Sequence, residues 1–202
     1  MLMNLFWDVD TQKDFIEPTG KLYVPGVEKI RPNLATLTRV GESKSFLSGS
    51  VDAHAPNDPE FDEWPEHCIY GTPGQQKIPE SRAASTLFIP STRLSSAQLR
   101  EAFDNGDQVI FEKQNTDVRT NPNVEPFIKC IQPDVVFVYG VVTEICVNHA
   151  VYLFAHDLGY NTRVVSDAIK ELDKSTAEAC FSDWKTLGVE LVTTNIVERM
   201  LK

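Results

Sequence analysis

Short apolar runs alternate with longer amphipathic stretches along this chain. The runs are LFWDV near residue 5, SFLSGSV from Ser45, QVIFE from Gln108, DVVFVYG from Asp134, TRVVSD from Thr162 and VELVTT from Val189. They are short, and most are rich in β-branched or aromatic residues, which predicts strands. Between them, Val27–Val40, Ser96–Asn105, Glu144–Leu158, Ser175–Leu187 and Ile196–Leu201 read as helices. Strands separated by helices predict a mostly parallel sheet of about six strands with both faces covered. The expected class is α/β, a doubly wound, Rossmann-like three-layer fold.

Two segments break the alternation. EPTGKLYVPG, from Glu17, is punctuated by Pro and Gly and reads as a loop. The stretch from Ala53 to Leu94 is rich in proline and reads as irregular. A loop of that length inside a compact domain is usually functional, with a packed structural loop as the plainer alternative.

Length and charge narrow the picture. At 202 residues, the chain fits one α/β domain spanning 1–202. A net charge of −10 leaves no basic patch for nucleic acid or an anionic membrane, so a small molecule is the expected partner. The four cysteines are widely spaced and form no CxxC pair. The N-terminal run lacks a basic n-region, and no apolar stretch approaches the ~18 residues of a membrane span. These features lead to the reducing cytoplasm as the expected setting.

Ligands of an open parallel sheet bind beyond the carboxyl ends of its strands. The first predicted strand ends at Asp10, the second at Asp52 and the third at Lys113, and the fourth leads to Cys146. An acid, a potential metal ligand, a cation and a thiol thus converge on one region. Any one of them alone reads as a solvated charge or a small buried residue; the coincidence of four carries the argument. Cys146 falls in what reads as the first turn of a helix, where the helix dipole lowers a thiol pKa. Asp10 can take the thiol proton, Lys113 can balance the charge, and amides of the Val141–Cys146 turn can hold an oxyanion. His149, one turn after Cys146, reads as a packing residue. Asp52 and His54, with His67 further along the same irregular segment, form an O/N/N set suited to zinc, manganese or iron, with Glu60, Glu63 or water completing the shell.

These motifs together resemble the isochorismatase-like cysteine hydrolase superfamily, and within it the nicotinamidase-related branch. VDTQKDF is similar to its N-terminal aspartate motif, PTGKLYVPG to the loop that follows, VDAH and WPEHCIYGTPG to its metal motifs, FEK to its lysine strand and VYGVVTEICV to its nucleophile turn. The resemblance implies a triad of Cys146, Asp10 and Lys113. It also implies a cis peptide before Val142, with the amides of Val142 and Cys146 as oxyanion donors. Phe15 and Trp64 would sandwich a flat substrate. The implied protein is a homo-oligomer carrying one divalent ion, zinc first and iron or manganese next. The expected reaction is hydrolysis of a small amide through a thioester, nicotinamide to nicotinate and ammonia. A related hydrolase acting on another amide or ureide is the nearest rival. An idle binding protein and a thiol redox sensor are rivals from other classes, and the sensor is disfavoured because no resolving cysteine lies nearby.

Overall fold

Every strand that the hydrophobic pattern predicts is present in the computed structural model, which describes residues 3–201. They are β1 (Asn4–Val9), β2 (Phe46–Asp52), β4 (Gln108–Lys113), β5 (Val135–Val141), β6 (Asn161–Lys170) and β7 (Glu190–Val192). A seventh, β3 (Thr86–Ile89), lies within the segment expected to be irregular. All pairings are parallel, in the order β3-β4-β2-β1-β5-β6-β7. β1, β2 and β5 are buried along their whole length. That explains why β5, Val-Val-Phe-Val-Tyr-Gly-Val, shows a continuous apolar run where a one-sided strand would alternate.

Helices cover both faces. On one face lies α2 (Arg31–Lys44), against which Phe6 and Leu47 pack around Gly41. On the other, Trp7 stacks on Phe111 at 5.9 Å and meets Phe154 edge-on at 5.0 Å. That face carries α3 (Ser96–Asn105), α4 (Val124–Ile131), α5 (Asn148–Val151, flanked by wide π turns) and α6 (Lys174–Thr186). α3 begins with a full capping box between Ser95 and Gln98, a signal written in the sequence itself. Two short helices, α1 (Lys13–Ile16) and α7 (Thr194–Met200), complete the set.

The chain starts in the middle of the sheet, builds outward on one side through β4, and then crosses to β5 on the other side of β1. The switch point therefore lies between β1 and β5, and a crevice opens beyond their carboxyl ends. Gly140 holds this region together. Its φ is +116°, and a Cβ there would sit 2.1 Å from the Val9 carbonyl oxygen.

Candidate active site

Asp10 is the first residue after β1 and adopts a left-handed backbone, with φ of 49°. Its Oδ1 accepts a 2.8 Å hydrogen bond from Ser50 Oγ, and Oδ2 lies 3.0 Å from Lys113 Nζ. Lys113, at the end of β4, also bonds Asp52 Oδ1. Its Nζ lies 3.7 Å from Cys146 Sγ. Asp10, Asp52 and Lys113 are all buried, while Cys146 is half-buried at the crevice floor. Strand register explains the meeting: Asp52 and Lys113 are direct partners across β2 and β4, so their side chains leave the sheet on the same face.

Burial pushes the Asp10 carboxyl above its ordinary value, and Lys113 only partly offsets it. Burial also acts on Asp52, but there the Lys113 charge, with His54 and His67 close by, outweighs it and holds the carboxyl well below the usual range. Lys113 stays charged, because Asp10 and Asp52 together overcome its own desolvation. The thiol departs from the sequence expectation. Burial, with Asp10 and Asp52 nearby, pushes Cys146 well above the ordinary thiol value in spite of Lys113. Desolvation and the two carboxylates raise it, and the helix that follows opens on a wide π turn, Thr143–Val147. The resting group is a thiol beside a carboxylate of raised basicity.

Asp52 Oδ2 faces the second cluster. It lies 3.6 Å from His67 Nε2 and 3.9 Å from His54 Nε2. His67 Nδ1 sits 2.7 Å from the Pro65 carbonyl, which assigns the ring proton to Nδ1 and leaves the Nε2 lone pair facing Asp52. His54 Nδ1 is 3.1 Å from Asp58 Oδ2 without the alignment of a hydrogen bond, and both His54 ring nitrogens are buried without a hydrogen-bond partner. The three ligand atoms lie within 4.8 Å of one another. Two imidazoles beside outer oxygen atoms, with one carboxylate, fit a divalent ion.

A pocket opens over Cys146. Phe15, Leu22 and Val24 line it from the segment after β1, Trp64 from the proline-rich stretch, and Val142 and Ile145 from the nucleophile turn. Phe15 and Trp64 were expected from the sequence. Leu22, Val24, Thr116, Ile145 and Leu172 were not, and the Leu–Tyr–Val alternation after Gly20 is the only sequence signal for any of them. Glu60, weighed as a possible ligand, lines the pocket near the histidines. The Val141–Val142 peptide is cis, as the resemblance implies. Ile145 N–H and Val147 N–H both donate to the Val142 carbonyl at 3.1 Å. His149 belongs to the rim and not to the core, half-buried 3.7 Å from Asp117 and 3.5 Å from Thr116. Cys68 is buried and faces the Gly74 carbonyl at 4.0 Å.

Known proteins resemble this chain in sequence and fold. A family model described as the isochorismatase domain matches residues 8–196. The nicotinamidase/pyrazinamidase of Mycobacterium tuberculosis is 26% identical over 198 residues, covering 93% of this chain and 97% of that protein. The structure of a pyrazinamidase from Pyrococcus horikoshii in complex with zinc superposes with a TM-score of 0.74 at 25% identity, over 94% of this chain and 98% of that one. The N-carbamoylsarcosine amidase of Thermoplasma acidophilum shares the fold, with a TM-score of 0.73 at 22% identity over 96% of this chain and 97% of that one.

Proposed function

The chain belongs to the isochorismatase family, and from that premise we propose that it is a metal-containing cysteine amidohydrolase converting nicotinamide to nicotinate and ammonia. The observation that carries this reading is Cys146 Sγ, open to an apolar pocket and 3.7 Å from a lysine held between two buried carboxylates. Hydrolysis of a carbon–nitrogen bond other than a peptide bond is the reaction class of the relatives.

Cys146 Sγ attacks the amide carbon as its proton passes to Asp10 Oδ2. The carbonyl π pair moves to oxygen, and the amides of Val142 and Cys146 hold the oxyanion. The carbon–nitrogen bond then breaks, and the leaving nitrogen takes the proton from Asp10 to depart as ammonia. Water attacks the thioester, gives a proton to Asp10, and the carbon–sulfur bond breaks to free the acid. Asp10 returns the proton to the thiolate. Lys113 balances the charge that shuttles between Asp10 and Cys146 throughout. Phe15 and Trp64 hold the flat ring. Asp52, His54 and His67 would hold one divalent ion, zinc first, which when bound supplies an electron-pair acceptor for the ring nitrogen or a water bridging to it. A homo-oligomer in the cytoplasm, built from a single domain over 1–202, completes the proposal.

The pocket lining favours a neutral amide over the rival ureide. It includes Asp52 and Glu60 but no arginine and no lysine among the described residues. The carboxylate of a substrate such as N-carbamoylsarcosine would meet Asp52 and Glu60 there and find no side-chain cation in the lining, so that only the bound metal ion would offset the like charge. An ammonia-release assay over nicotinamide, benzamide and N-carbamoylsarcosine tests this. Benzamide lacks the ring nitrogen, and leaving its partner unsatisfied costs about 1–3 kcal/mol, roughly a ten- to hundred-fold loss in kcat/KM. Equal turnover of benzamide and nicotinamide removes the metal from substrate reading. Preference for the ureide moves the assignment to the rival.

A further inference from the structure

β1 makes its last pairing with β2 at Val9 and Ser50. One residue later Asp10 turns left-handed, its N–H still donating to the Ser50 carbonyl at 3.1 Å, and the chain leaves the sheet. β2 runs on to Asp52. In a parallel ladder the N–H and C=O of one residue point to the same neighbour, and those of Asp52 point to the side that β1 has vacated. A buried backbone group left there without a partner is costly.

The side chain of Gln12 fills the gap. It is fully buried. Its Oε1 accepts a 2.7 Å hydrogen bond from the Asp52 N–H, and its Nε2 donates to the Asp52 carbonyl at 2.8 Å. The second Nε2 proton goes to the Gln75 carbonyl at 2.8 Å. A carboxamide presents donor and acceptor side by side, as a strand backbone does, so this one glutamine replaces the missing strand partner. The residue so held is the one whose Oδ1 bonds Lys113 and whose Oδ2 faces both histidines.

We infer that Gln12 is a positioning residue: it clamps the Asp52 peptide so that the carboxylate divides between Lys113 and the two-histidine cluster. This rests on the metal-bearing reading of that cluster. Outer partners of a ligand typically matter about 10- to 100-fold in metal affinity.

The test compares the full-length wild type with Gln12→Met and Gln12→Glu. Methionine keeps the length and makes neither bond. Glutamate keeps the acceptor and loses both donors. Zinc affinity is measured by competition with a chromophoric chelator, alongside thermal unfolding without metal and hydrogen exchange at the Asp52 amide. The clamp predicts zinc bound at least about ten-fold more weakly by both variants. It also predicts faster exchange at Asp52 in Gln12→Met than in Gln12→Glu. Zinc affinity within about two-fold of wild type in a folded Gln12→Met overturns the inference; should that variant not fold, the affinity of Gln12→Glu decides in the same way. A wild type that takes up no zinc sinks the metal reading instead, and the clamp then stands or falls on the exchange rate in Gln12→Met.

Discussion

Asp10 carries opposed demands on stability and chemistry. Burial raises its carboxyl above the ordinary value, and Lys113 must serve Asp52 as well. A raised carboxyl contributes stability that is present below the unfolded value of about 3.9 and lost as pH rises through the folded one. The ionised form of Asp10 therefore costs the fold more than the neutral form does, while the proposed reaction needs the ionised form as proton acceptor. Asp10→Asn should abolish turnover yet raise the thermal midpoint of the metal-free protein. Asparagine can turn its oxygen to Lys113 and its amide to Ser50 Oγ, so both of its own ends stay paired, and the cost is the acceptor that the Ser50 hydroxyl gives up. A gain of about 1 kcal/mol corresponds to about 2–4 °C at this chain length. The acid limb of kcat/KM in the wild type should lie above the ordinary carboxylate range for the same reason. A midpoint that falls by several degrees would mean that Asp10 is chiefly a structural partner of Lys113. The thiol shows what sequence reasoning misses at this scale: a helix start is legible from the residues, but the burial and the two carboxylates that raise the thiol appear only once strands distant in sequence are paired.

The segment between β2 and β3 brings His54, His67 and Trp64 to the site, and a buried pair fastens it to β1. Lys77 Nζ lies 3.0 Å from Asp8 Oδ2 and donates to Thr11 Oγ1 at 2.8 Å, with both charged side chains inaccessible to solvent. Thr11 Oγ1 in turn lies 2.6 Å from Ser81 Oγ. Lys77→Met strands the Asp8 carboxyl, a loss of about 3–5 kcal/mol in unfolding free energy by denaturant titration. Burial already raises that carboxyl. The deficit should therefore shrink as pH falls toward the unfolded value of about 3.9, where Asp8 is neutral in both states. A cost below about 1 kcal/mol would show the pair to be replaceable packing. None of this anchoring is visible in the sequence, where Lys77 is one polar residue in a proline-rich stretch. Two elements were hidden for related reasons. β3 is four residues long, lies at the sheet edge and lacks alternation. α4 contains Pro126, which reads as a breaker, yet it falls in the first turn, where no backbone donor is needed. Its buried Val124, Phe127, Ile128 and Ile131 keep the i, i+3, i+4, i+7 spacing of a helix face.

At the scale of the molecule, the fold class and the clustering of the candidate residues were legible for one reason. A parallel sheet delivers its strand ends to one edge, so a single pass along the sequence finds Asp10, Asp52, Lys113 and Cys146 together. The pocket walls were not legible, since Leu22, Thr116 and Leu172 come from separate connections whose convergence no periodicity encodes. The order of the strands supplies the rest. With β1 and β5 adjacent at the switch point, the residues just beyond them, Asp10 and Cys146, can exchange a proton, and β4 brings Lys113 from two strands away. No helix among the described residues is long and apolar enough to cross a membrane. The claim on which everything turns is covalent catalysis by Cys146. The direct measurement is mass spectrometry of zinc-loaded protein quenched in acid during turnover of nicotinamide. The account predicts one nicotinoyl group in thioester linkage on Cys146, none on Cys68, Cys130 or Cys180, and neither adduct nor ammonia from Cys146→Ala. Ammonia released at an undiminished rate by Cys146→Ala, or an acyl group found on another residue, would contradict it.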